Sequence, residues 1–219
     1  MRSQTPKGGQ GFTIIEVMIA TAVFAVVLLI TIGGFITIAQ VFYKGVIKTQ
    51  TQQDLRQIVD QVSSDIRSAP VIYVAQQVAG SSTKYYQCIG ASRYTYNLNN
   101  RVNLSDHDTT DKFGLLVDQL PGNSPCGSPY DPTTAFKPAN DPNAPVELLA
   151  NNERVNHFDV TLQANLNNWV YQVDIAIATG RSQYLSTDAN GEATCNNRLS
   201  ISQFCSVANV VTAVAGLSQ

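Results

Sequence analysis

Between Lys7 and Lys44 the chain carries a single charge, Glu16. Residues 17–43 hold no Asp, Glu, Lys or Arg. About 20 apolar residues cross a bilayer as a helix, so this stretch is long enough to span. A carboxylate in such a segment is costly, roughly 2.5–3.5 kcal/mol at a helix centre. Residues of this kind are usually paired and functional, which makes Glu16 the first candidate for chemistry.

The remaining ~150 residues are polar and numerous enough for one real core. Formal net charge is −2. Without residues 1–11, which hold Arg2 and Lys7, 12 basic residues stand against 16 acidic ones, or −4. There is no Lys/Arg block, so composition gives no nucleic-acid footprint. The four cysteines, Cys88, Cys126, Cys195 and Cys205, all follow the apolar run. An even count in an exported region predicts two disulfides in an oxidising compartment. The short loop favours Cys195–Cys205, which leaves Cys88–Cys126. Basic residues flank the span on both sides (Arg2 and Lys7; Lys44, Lys48 and Arg56). The cysteines therefore set the orientation and place the C-terminal part outside.

The N-terminus does not follow an ordinary secretory signal. Its apolar run far exceeds the usual 7–15 residues, and no small-residue cleavage site ends it. The basic n-region instead leads into Lys7-Gly8-Gly9-Gln10-Gly11, followed by Phe12-Thr13-Ile14-Ile15-Glu16-Val17. This run resembles the signal of type IV pilins and type II secretion pseudopilins. The resemblance implies that a membrane-embedded prepilin peptidase cuts after Gly11, on the cytoplasmic side. It also implies that the same enzyme N-methylates Phe12. Glu16 would then act in assembly by meeting the Phe12 amine of a neighbouring subunit. The spacing is consistent with that chemistry. A free Phe12 amine is mostly protonated at neutral pH, and Glu16 lies one helical turn from it. A carboxylate in a first turn also gains about 0.3–1 kcal/mol from the helix dipole.

No proline occurs from Phe12 to Ala69. Ile47, Thr51, Leu55, Ile58, Val59, Val62, Ile66 and Ala69 recur at three- and four-residue steps, leaving Lys48, Asp54, Arg56, Asp60 and Arg67 for other faces. Pro70 marks the stop. A helix over 12–68 would be about 85 Å long. Gly33-Gly34 interrupts its apolar half, as a site of tight helix packing or as a weak point in a filament.

After Pro70 short β-type runs follow: Val71–Val78, Lys84–Ile89, Arg93–Leu98, Phe113–Val117, Val155–Leu162, Trp169–Ala178 and Leu199–Val211. In Val155–Leu162 one face would carry Phe158, Val160 and Leu162. Residues 118–145, with seven prolines and two glycines, predict a long surface loop. The expected fold class is α+β: a long N-terminal helical spine, its first half transmembrane, with a C-terminal antiparallel β-rich head. The boundaries are a leader over 1–11, a helix over 12–69 (12–43 transmembrane or filament core, 44–69 amphipathic) and a head over 70–219.

Asp65-Ile66-Arg67-Ser68-Ala69 is similar to the end of the spine in J-type minor pseudopilins and W-type minor pilins. That resemblance implies a minor subunit in the cytoplasmic (inner) membrane before assembly, then in an extracellular or periplasmic filament. Its partners would be the peptidase, other pilin-type subunits, the assembly machinery and the membrane. A type II secretion or competence pseudopilin is the alternative. So is a tip adhesin or DNA-uptake subunit using loop 118–145, with nucleic acid as a partner.

Other candidates reduce to structure. His157 falls in a strand pattern. His107 lies in the acidic run 105–111, which reads as a solvated loop rather than a calcium site. Asp188–Glu192 reads as an Asn-Gly turn. Tyr85, Tyr86, Tyr94 and Tyr96 read as sheet packing. No nucleophile elbow, Walker A loop, H-E-x-x-H or C-x-x-C is present. No enzyme activity, metal or cofactor is expected.

Overall fold

The structure is a computed structural model describing residues 12–99, 113–120, 126–127, 145–163, 169–189, 191–196 and 202–216. Helix α1 runs over Ile14–Ser68, 55 residues without a break. It ends where Pro70 removes the next donor and disfavours helix at Ala69. The chain divides into two compact units, one ending at Phe42 and one starting at Tyr43.

In the first unit residues 12–38 are all exposed. The most apolar 18-residue window of α1 has a mean hydropathy of 2.6, and none of it is buried. The helix is thus long and apolar enough to cross a membrane.

In the second unit the helix has one buried stripe: Thr51, Leu55, Ile58, Val59, Val62, Ser63 and Ile66. These follow the helical period predicted from the sequence, and each large apolar member contributes about 1.5–3 kcal/mol. Ile47 is half-buried, while Lys48, Arg56, Asp60 and Arg67 face out. Asp54 departs from the expected solvent face: it is half-buried, and one of its carboxylate oxygens is fully covered.

The head is antiparallel, so the α+β expectation holds. One sheet has the order β1 (Gln76–Gln77), β2 (Lys84–Ile89), β3 (Ser92–Asn97), β4 (Leu115–Gln119), β5 (Val146–Glu147). A second has the order β10 (Ser206–Ala215), β7 (Val170–Thr179), β6 (Glu153–Leu162). A small hairpin joins β8 (Leu185–Thr187) and β9 (Ala193–Cys195). Both large sheets and the helix stripe share one core, with Tyr94, Tyr96, Leu115, Phe158, Val173, Ile175 and Ile177 among its members. The sheets meet through Phe158, whose ring centroid lies 5.6 Å from that of Tyr94 and 4.9 Å from that of Tyr96. Gln87 Nε2 donates to the Val160 carbonyl at 2.9 Å across the same seam.

Two expected strands shrink or shift. Val71–Val78 yields only the two residues of β1 and an isolated bridge at Ile72. Leu199–Val211 becomes β10 over Ser206–Ala215, preceded by a 3-10 turn at Ser202–Phe204. The stretch expected as a loop over 118–145 begins in strand, because β4 continues to Gln119, and most of it lies outside the described residues. Leu162, expected on the core face with Phe158 and Val160, is 48% exposed, because it ends its strand beyond the core. The β2–β3 hairpin turns at Gly90, with φ +60°, where an added Cβ would lie 3.1 Å from Ala69. That combination of positive φ and close approach requires glycine.

Candidate functional site

The helix begins on a cap. The Glu16 N–H donates to Thr13 Oγ1 at 3.3 Å, and the Val17 N–H donates to the Thr13 carbonyl at 3.3 Å. Thr13 is thus the N-cap and Glu16 the third helical residue, the Thr-x-x-Glu spacing of a capping box. The motif is legible in Thr13-Ile14-Ile15-Glu16 as a Thr-x-x-Glu spacing ahead of an apolar run. Phe12, Glu16, Val17, Ala20, Thr21 and Phe24 line one shallow groove along the helix. Phe12 is 81% exposed. Phe12 and Glu16 therefore lie on a single stripe at the i, i+4 spacing, with apolar surface continuing beneath them. Gly11 lies outside the described residues.

Further along, an added Cβ at Gly33, Gly34 or Gly45 would meet nothing within 4 Å. Packing within the chain does not call for these glycines. Threonine hydroxyls bond the carbonyls nearby, Thr37 Oγ1 to Gly33 at 3.1 Å and Thr49 Oγ1 to Gly45 at 2.9 Å. Such back-bonding satisfies hydroxyls in an apolar segment and tends to bend a helix.

In the head, Cys88–Cys126 and Cys195–Cys205 form disulfides with Cα separations of 5.9 and 5.7 Å. The first ties β2 to the proline-rich stretch, of which only residues up to Leu120, Cys126, Gly127 and Pro145 are described. The second ties β9 to the start of β10. A bulge between Val155 and His157 frees the side chain of Asn156. Asn156 Nδ2 donates to the Ala193 carbonyl at 2.7 Å, and the Ala193 N–H donates to Asn156 Oδ1 at 2.8 Å. A buried asparagine thus holds β9 as a neighbouring strand would. Sequence patterning gave no signal for it, since a bulge has no fixed residue type.

The end of the spine is fixed to the head by a polar bond. The Tyr94 hydroxyl donates to Asp65 Oδ2 at 2.6 Å. Burial, then the Asp65 carboxylate, pushes the Tyr94 hydroxyl well above its ordinary range. Glu147 takes N–H bonds from Leu115 at 2.8 Å, Leu149 at 3.2 Å and Gly114 at 3.2 Å. Burial outweighs those bonds and pushes its carboxyl up to about 7. Glu153 is fully buried and also shifted upward, by burial and by the Asp54 carboxyl.

His157 lies half-exposed on β6 with Nε2 3.9 Å from Asp174 Oδ2. His107 and the run 105–111 lie outside the described residues. Between β8 and β9 the Glu192 N–H donates to Asp188 Oδ1 at 2.9 Å and Gly191 takes φ +84°, while Asn190 of the expected Asn-Gly turn lies outside the described residues. Tyr86, Tyr94 and Tyr96 are buried, and Tyr85 stacks on Tyr96 at 5.7 Å, so the tyrosines pack the sheet. Among the described residues no group of three or more His, Cys, Asp or Glu side chains is arranged to hold a metal ion.

Comparison with curated proteins and with solved structures gives no match for the chain. Residues 7–32 match the family model of the prokaryotic N-terminal methylation motif. The match covers Gly11, Phe12, the capped first turn with Glu16, and the first half of the uncovered apolar stretch. The chain carries at its N-terminus the signal of type IV pilins and pseudopilins.

Proposed function

We propose that the protein is a minor pilin-type subunit, cut between Gly11 and Phe12, N-methylated at Phe12 and assembled into a filament through its N-terminal helix. The observation that carries this is the start of α1. An uncovered apolar helix begins within two residues of the Gly11–Phe12 bond and carries one acid on the Phe12 stripe. Before processing, the Thr13 hydroxyl caps the first turn. After processing, the new amine lies on the same stripe as Glu16, and the carboxylate of one subunit serves the amine of the next. Moving such a helix from lipid into a filament exchanges one apolar surrounding for another. Helix packing and the charge pair therefore supply the gain.

The minor class is supported by Asp65–Ala69. Ile66 is fully buried and Asp65 accepts the Tyr94 hydroxyl. The W- and J-like ending of the spine thus anchors the head.

The test is Glu16→Ala in cells that assemble the filament. The expected result is a normal membrane level of processed subunit with loss from the sheared filament fraction. Normal incorporation removes Glu16 from the mechanism.

A further inference from the structure

Strand β10 forms one edge of the three-stranded sheet and pairs β7 along all ten of its residues without a register shift. The Gly216 N–H donates to the Trp169 carbonyl at 2.7 Å, so the backbone groups of Gly216 face β7. This direction alternates along an antiparallel strand. The even-numbered residues of 206–214 therefore face β7 as well. Val207, Asn209, Val211, Ala213 and Ala215 turn their N–H and C=O groups away from it, and those groups meet no partner among the described residues. The side chains of the same five residues are exposed, Val211 by 56%.

Such an edge offers an unpaired row to any extended chain, and proteins normally blunt it with charge, proline, a bulge or brevity. The other edges of the two large sheets are blunted in these ways. β1 and β5, the edges of the five-stranded sheet, have two residues each. β6, the far edge of the three-stranded sheet, carries Glu153, Arg154, His157 and Asp159 and a bulge between Val155 and His157. Its Val155 carbonyl already accepts the Asn99 N–H at 2.7 Å. β10 has no charge, proline, glycine or bulge.

We propose that β10 pairs antiparallel with the β10 of a second copy of this chain, about a two-fold axis at Val211.

The strand is complementary to itself. One register engages all five outward residues, with Val207 opposite Ala215, Asn209 opposite Ala213, and Val211 opposite its own counterpart. Outward residues meet outward residues throughout, so each free N–H finds a C=O. No charge opposes a charge, and the two Val211 side chains form an apolar pair across the strands. A charged partner strand would leave its charges unmatched on this edge. A second β10 brings none. The pairing also closes on itself. It consumes the open edge of each copy, and the blunted β6 edges stop the sheet from growing further.

The axis decides what is joined. It stands perpendicular to the sheet and so reverses every direction in the sheet plane. Thr51 Oγ1, at the first buried turn of α1, lies 2.9 Å from Thr179 Oγ1, and Thr179 is opposite Ser206 at the start of β10. Further along the helix, Asp65 accepts the Tyr94 hydroxyl, and the Tyr94 ring lies on Phe158. Phe158 is opposite Ile175, which is opposite Val210. Residues 51–65 of α1 thus run in the same sense as β10. In the pair these helix segments run in opposite senses. The pairing joins heads carried on facing filaments or membranes, not neighbours anchored side by side in one membrane. It does not depend on N-terminal processing.

The test uses the full chain in detergent micelles. Sedimentation counts the copies, and NMR on an equal mixture of isotope-labelled and unlabelled chain reads contacts between them. The expected result is a concentration-dependent dimer with a Val207–Ala215 contact between copies. The amides of the five outward residues should exchange slowly in the dimer and fast after dilution. Val211→Lys sets like charges face to face on the axis and removes the valine pair, and it should weaken the dimer about tenfold while β7 keeps its slow exchange. A monomer at every concentration overturns the pairing. So does slow exchange of the five amides already in the monomer, which would mean that the chain covers its own edge. A dimer without the Val207–Ala215 contact, or one that Val211→Lys leaves intact, overturns it too. Should the variant not fold, the wild-type contact decides alone.

Discussion

The Glu16 N–H is capped by the Thr13 hydroxyl at 3.3 Å, so the one acid of the apolar stretch is also the third residue of the helix it sits on. A cap of this kind contributes about 0.5–2 kcal/mol. It fixes the first turn and with it the direction of the Glu16 side chain. Thr13→Ala should therefore loosen residues 14–17, giving several-fold faster amide exchange in micelles, while Thr13→Ser should leave it unchanged. Equal exchange in all three forms would remove the cap from the account.

The disulfides close sequence separations of 38 and 10 residues. On the chain-entropy model such closures contribute about 2.5–4 kcal/mol each, more for the longer loop. The double replacement Cys88→Ser with Cys126→Ser should thus lower head stability more than Cys195→Ser with Cys205→Ser. Denaturant midpoints of the oxidised proteins check the order. The reverse order would show that strain or denatured-state structure outweighs loop length.

Glu147 gathers three backbone N–H groups from the start of β4 and the chain after β5. Glu147→Ala leaves those three donors without a partner and should cost about 3 kcal/mol or more, at roughly 1–3 kcal/mol for each buried group lost. Its pH effect has a definite sign. The folded carboxyl is raised to about 7, above its unfolded value, so its charged form is disfavoured by folding. The associated stability is full below the ordinary glutamate range and is lost as pH rises through about 7. Thermal unfolding of the head should shift to lower temperature between about pH 5 and pH 8. A shift to higher temperature would contradict this sign.

What the sequence disclosed followed from period. The helix, its buried stripe and the long strands each repeat a spacing over many residues, as Leu55, Ile58, Val62 and Ile66 do. Elements of two or three residues, β5, β8 and β9, offer no period to read. Charge alone puts Asp54 on a solvent face, but packing of the helix on the head leaves it half-buried with one carboxylate oxygen covered. Asn156 gained its role from a bulge set by pairing with β7. The N-terminal motif was the most legible part, because Gly11, Phe12 and Glu16 stand at a fixed local spacing within the matched residues 7–32.

The central claim concerns the first residue of the working protein. Intact N-terminal peptide mass spectrometry of subunit recovered from membranes and from sheared filaments measures it directly. The account predicts a peptide that begins at Phe12 and carries one methyl group on its amine. A chain still beginning at Met1 in the filament fraction, or cut anywhere other than after Gly11, would contradict it.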